Sequence, residues 1–118
     1  MSHADAFEQL LAAKGFVLHT LGLRDVALLQ PDALRAIEVL SESSIPVLGG
    51  DVYFRKGERI EPAYANWHTD PRPGENRLDY AIRSCRDSAK YIAGFPMRAD
   101  VIPLFVLVIP PPVYNGPL

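Results

Sequence analysis

The sequence predicts an α+β domain: a mixed, mostly antiparallel sheet that contains a β-hairpin and packs against about three helices. Three observations lead there. Two stretches, 31–42 and 76–93, carry apolar residues at helical spacing with charges between them. The segment "IPVLGGDVYFRKGERIEPAY" reads as two strands joined by a turn. "LFVLVI" is a continuous apolar run with β-branched members, the pattern of a strand covered on both faces. At 118 residues the chain has the length of one domain, 1–118, with a Pro-rich tail over 110–118 and no internal repeat.

Each element follows from its local chemistry. Phe7, Leu10, Leu11 and the stem of Lys14 recur at helical spacing, so a first helix is expected over Ala4–Lys14, closed by Gly15 as a left-handed cap. "FVLHTLGLRDVALL" is apolar but broken by Gly22 and by Arg24-Asp25, which predicts one or two short strands joined by a turn. Pro31 suits the first turn of a helix and Asp32 its positive end. Ala33, Leu34, Ile37 and Leu40 then line one face, Arg35, Glu38 and Glu42 turn outward, and the serines of "SESS" end the helix.

In the hairpin, matching apolar faces favours a three-residue loop within "RKGE" that sets Phe54 against Ile60 and Val52 against Pro62. On that register Asp51, Tyr53, Arg55, Arg59 and Glu61 share the opposite face. "ANWHTDPRPGEN" reads as a loop. Leu78, Ala81, Ile82, Cys85, Ala89 and Ile92 mark the longest helix, Asn76–Ala93, with Asp79–Arg83 and Arg83–Asp87 pairs on its outer face and Gly94 and Pro96 stopping it. "LFVLVI" is the central strand, and "PPPVYNGPL" is expected to run extended.

Composition excludes several functions. A hydrophobic fraction of 48% with 22% charged residues is that of a globular protein, and a net charge of −2 lacks the basic excess of a nucleic-acid binder. The single cysteine, Cys85, precludes an internal disulfide and fits a reducing, cytoplasmic setting. "MSHADAFEQLL" has no basic flank before an apolar run, so no signal peptide is expected, and the longest apolar run falls far short of the ~20 residues of a membrane helix.

The candidate chemistries are each set against an ordinary explanation. Gly49-Gly50 is followed by a hairpin rather than a helix, so backbone amides and a helix dipole do not converge on a phosphate there; a bulge or a close backbone approach is expected instead. His3, His19 and His68 are scattered over three elements, no short ligand spacing exists, and His68 with Asp70 in "WHTD" makes at most half a metal site; no metal and no cofactor is predicted. Cys85 lies in an apolar stripe as a small buried hydrophobe, and no serine occupies a nucleophile elbow. Asp51 and Glu61, with Asp70 approaching from the loop, form the best acid–base pair, although carboxylates on an exposed sheet face are common. Tyr53, Tyr64 and Trp67, with Tyr80 near the loop, have the composition of a protein-binding hot spot, or else Trp67 pins the loop to the core. "PPVY" at 111–114 matches a groove-binding peptide shape once, as chance allows.

Taken together and in order, "GLRDVALLQPDALRAIEVL", "SIPVLGGDVYF", "NWHTDPRPGENRLDYAIRSCRDSAKYI" and "FVLVI" resemble the bacterial family called immunity protein 40, from about Leu21 to Ile109. The resemblance implies a non-enzymatic protein that protects its producer from a polymorphic toxin by binding the cognate toxin domain. It brings no catalytic residues. Gly49, Gly50, Asp51, Tyr53, Asn66, Trp67 and Asp70 carry the motif, with Gly49, Gly50 and Asn66 read as structural. The expected binding face is the outer side of the hairpin and the following loop: Asp51, Tyr53, Glu61, Tyr64, Trp67, His68 and Asp70. The rivals are a small-molecule-binding or enzymatic domain using Asp51 and Glu61, and a module that self-assembles through its hairpin edge.

Overall fold

The computed structural model of the chain describes residues 3–18 and 25–111. The elements run α1 (His3–Lys14), β1 (Phe16–Val17), β2 (Val26–Leu29), α2 (Gln30–Glu42), β3 (Gly49–Lys56), β4 (Arg59–His68), α3 (Arg77–Ala93) and β5 (Ile102–Val108). Strand β2 passes into α2 without a loop: Leu29 is extended at φ −60 and ψ 157, and Pro31 lies in the first turn, where its missing N–H costs nothing. Asn76 caps α3 by accepting the Asp79 N–H at 2.8 Å. His19 and most of the "PPVY" segment lie outside the described residues.

The five strands take the order β1-β2-β5-β3-β4. Every described pairing is antiparallel. Strand β5, last in the chain, inserts at the centre between β2 and β3, which explains its unbroken apolar sequence. Residues Pro103 to Val106 are buried. One face of the sheet meets the helices: Val52, Trp67, Phe105 and Leu28 join Phe7 of α1, Ala33, Ile37 and Leu40 of α2, and Cys85 and Ile92 of α3. The other face has a smaller core of its own, built from Leu18, Ala27, Tyr53, Leu104 and Val106.

The hairpin departs from the expected register. Its loop is the two residues Gly57-Glu58, closed by the Lys56–Arg59 pair, with Gly57 at a φ of +63. Phe54 therefore opposes Glu61 and Tyr53 opposes Pro62. Between the Tyr53–Pro62 and Val52–Ala65 pairs, Ala63 and Tyr64 are inserted as a bulge, with Tyr64 at a φ of +55. A left-handed conformation costs a residue with a Cβ about 1–2 kcal/mol. Beyond the bulge β4 continues to His68, so Asn66, Trp67 and His68 belong to a strand rather than to the expected loop. Apolar matching misplaced the register because the loop is two residues and not three, which moves Phe54 from Ile60 to Glu61. The insertion beyond Pro62 then carries Val52 on to Ala65.

Two further expectations are corrected. Gly15 is not left-handed: a Cβ there would collide with Val26 Cγ1 and the Leu11 carbonyl, so space rather than backbone conformation requires glycine. The buried face of α3 is rotated from the apolar stripe. Leu78 and Ile82 are 55% exposed, whereas Tyr80, Arg83, Ser84 and Ser88 are buried with Ala81, Cys85 and Ile92. The reason is polar. Ser84 Oγ accepts the Val47 N–H at 3.1 Å and Ser88 Oγ accepts the Trp67 indole N–H at 2.9 Å, both in the interior.

Candidate functional site

The site is built around Gly49-Gly50. In β3 these two residues pair with His68 and Trp67 of β4 and with Val108 and Leu107 of β5. The Trp67 ring lies over Gly50 so closely that a Cβ there would enter the ring and strike the Val106 carbonyl oxygen as well. Gly49 takes a φ of +152, and its missing Cβ leaves room for the Trp67 carbonyl. The glycines thus mark a close approach, and the bulge lies elsewhere. Trp67 is 7% exposed, stacks on Tyr91 with centroids 4.7 Å apart, and through its N–H ties β4 to α3.

This packing leaves a depression of about 190 Å³ at the end of β3, lined by Leu48, Gly49, Gly50, Asp51, Trp67, His68, Asp70 and Val108. Asp51, His68 and Asp70 are exposed around it. Among the described residues neither aspartate side chain is engaged by a cation or a hydrogen-bond donor. Asn66, paired with Asp51 across β3 and β4, is exposed as well.

The loop after β4 is held firmly. Thr69 donates its N–H to the Leu48 carbonyl at 3.0 Å and its hydroxyl to the Val47 carbonyl. Arg83, turned inward rather than onto the outer face of α3, donates to the Asp70 carbonyl at 2.9 Å and grips Glu75 through two bonds of 2.8 and 2.7 Å. Its outer partner Asp87 is at 3.5 Å. Glu75 also accepts the Arg72 N–H at 3.1 Å, so the guanidinium fastens both ends of the Asp70–Glu75 turn to α3.

The Arg83 hydrogen bonds, with help from the Arg72 amide, lower the Glu75 carboxyl to about 2, below its usual value. Because the folded value is depressed, this group's contribution to stability is complete above the ordinary glutamate range. It is lost as pH falls toward 2. Glu75→Gln is therefore expected to melt below the wild type at pH 7, the gap closing between about pH 5 and pH 2. Thermal melts of both proteins across that range check this; a gap that stays constant with pH refutes the assignment.

The expected binding residues separate into groups. Asp51, His68 and Asp70 converge on the depression. Tyr53 shares Asp51's face but is 8% exposed, because that face has its own core; burial, then the nearby Asp51 and Asp25 carboxylates, raises its phenol above the ordinary value. Arg55 closes the rim of this core, its guanidinium 5.2 Å from the centre of the Phe16 ring. Trp67 is interior. Tyr53 and Trp67 are therefore supports beneath the surface and not part of it. Glu61 opposes Phe54 and pairs with Arg59 at 3.5 Å, on the opposite face of the sheet from Asp51. The register thus places Asp51 and Glu61 apart, against the acid–base pairing. Tyr64 stands alone at the bulge, 92% exposed.

Cys85 donates its thiol to the Ile45 carbonyl at 3.4 Å, and burial raises its value, as befits a packed thiol. Among the described residues no three His, Cys, Asp or Glu side chains group as metal ligands, and no helix is long and apolar enough to cross a membrane. A second, larger and open depression of about 650 Å³ lies between α2 and α3, bordered by Leu34, Ile37, Glu38, Ile82, Arg86 and Ala89.

A family model described as Immunity protein 40 matches residues 17–109 of the chain. The match begins within β1, at Val17, runs past the end of β5 and contains the whole Asp51–Asp70 depression, while α1 lies outside it. No curated protein and no solved structure matches the chain.

Proposed function

Because the chain belongs to the immunity protein 40 family, we propose that it neutralises a cognate bacterial toxin by binding the toxin domain and covering its working surface. The supporting observation is the rim of the depression. Two carboxylates, Asp51 and Asp70, and His68 stand exposed on a frame immobilised by Trp67 and Arg83. Carboxylates carried on a rigid backbone frame accelerate encounter with a basic surface. The protein acts by occlusion in the cytoplasm of the producing cell and itself turns over no substrate.

The test is co-expression with the product of the adjacent upstream gene. The chain is expected to rescue growth from that product and to co-purify with it. Asp51→Asn combined with Asp70→Asn is expected to leave the melting temperature within a degree or two. It slows association with the purified toxin domain on the order of tenfold at low salt and flattens the salt dependence. A verified toxic neighbour with neither rescue nor complex rejects the reading.

A further inference from the structure

Strand β4 is a free edge of the sheet, and an exposed edge invites another strand to pair with it. This edge is closed to that use. Pro62 has no N–H to offer, and the next two residues, Ala63 and Tyr64, leave the ladder as the bulge. A partner approaching β4 therefore meets side chains and not a continuous row of backbone groups. The side chain it meets first is Tyr64, 92% exposed between Ala63 and Ala65, which pack toward the helix-side core.

Tyrosine is a costly choice at that position. Its φ of +55 suits glycine or asparagine, while a tyrosine pays for the same backbone in strain. Nothing in the fold returns that strain. The ring is in solvent, and among the described residues its hydroxyl has no hydrogen-bond partner. An edge-blocking bulge alone needs no aromatic ring. Two residues further along β4 is Asn66, opposite Asp51, so about 7 Å of strand separates Tyr64 from the acidic rim. An interface of ordinary size, about 800 Å² per partner, spans both.

We propose that Tyr64 is the anchor of the toxin interface: its ring enters an apolar cleft on the toxin domain whose basic border meets Asp51 and Asp70. This rests on the immunity reading and specifies the partner's chemistry. The ring supplies the slow dissociation and the carboxylates the fast association. Large aromatics with few rotatable bonds, displayed on a rigid frame, carry much of the energy at protein interfaces.

The experiment compares wild type, Tyr64→Phe, Tyr64→Asn and Tyr64→Gly for melting temperature and for binding to the purified product of the adjacent upstream gene. Gly and Asn relieve the strain, so both variants are expected to melt at or above the wild type while dissociating at least ~30-fold faster. Phe retains most of the affinity. The loss is expected to persist at high salt, unlike that of Asp51→Asn with Asp70→Asn. Binding by Gly and Asn variants within twofold of a wild type that protects overturns the anchor and leaves the immunity reading standing. A wild type that neither binds nor protects overturns both. Unchanged binding with new amide protection across Ala63–Ala65 also overturns the anchor, in favour of strand addition.

Discussion

Trp67→Ala is expected to cost about 3–5 kcal/mol of folding stability, the range for removing a buried large aromatic. Three contacts disappear together. The indole stacks on Tyr91 at 4.7 Å, donates to Ser88 Oγ at 2.9 Å and fills the space over Gly50. Its loss leaves a cavity between β4 and α3, two elements that meet largely through this residue. A domain of this size has about 5–15 kcal/mol to lose, so the variant is expected to be partly unfolded at 37 °C. Protection from a toxin then fails through the fold and not through a lost contact. Trp67→Phe separates the terms: it keeps a ring but leaves Ser88 without its donor, an expected loss of about 1–3 kcal/mol. Denaturant melts measure both, and a Trp67→Phe/Ser88→Ala cycle isolates the hydrogen bond. A Trp67→Ala protein within 1 kcal/mol of wild type refutes the keystone role.

Gly50→Val is expected to be at least as damaging, and not to fold. Even the first atom of a new side chain would overlap Cη2 and Cζ2 of the indole and the Val106 carbonyl oxygen. The ring can swing away, but the carbonyl belongs to the central strand and cannot. Gly50→Ala brings only that first atom and is expected to lose at least about 3 kcal/mol, the top of the usual overpacking range or beyond it. Because the obstacle is partly backbone, Trp67→Phe is not expected to restore Gly50→Ala. Full rescue by the smaller ring shows that the backbone contact is unimportant and refutes this account.

These two predictions mark where sequence pattern was informative. "PVLGGDVY" suggests a bulge or a close backbone approach, and the structure shows the close approach. Trp67 reads as a hot spot or as a pin to the core with a backbone acceptor, and it is a pin whose acceptor is the Ser88 side chain. The pairing of the two was not visible. Residues 50 and 67 meet only because β4 continues beyond Pro62, and it continues because Ala63 and Tyr64 are bulged out. No periodicity encodes a two-residue insertion at Tyr64. That insertion carries His68 alongside Asp51, whereas the Gly57-Glu58 turn pairs Glu61 with Phe54 and so sets it on the other face.

The helices show the same division. In α2 the apolar residues at helical spacing are those that pack inward, because the helix covers an apolar sheet and nothing polar competes. In α3 the spacing identifies the helix, Asn76–Ala93, but neither the capping role of Asn76 nor the buried face. Two distant donors, the Val47 amide and the Trp67 indole, drew Ser84 and Ser88 inward, and Glu75 with the Asp70 carbonyl drew in Arg83. Local patterning is sufficient for the α+β class, the helix boundaries to within a residue or two and the centrality of β5, since these follow from short-range propensity and the burial of apolar runs. Strand register, the rotation of α3 and the convergence of Asp51 with Asp70 were settled by contacts between residues far apart in the chain. There a single buried donor or an inserted residue outweighs many weak local preferences.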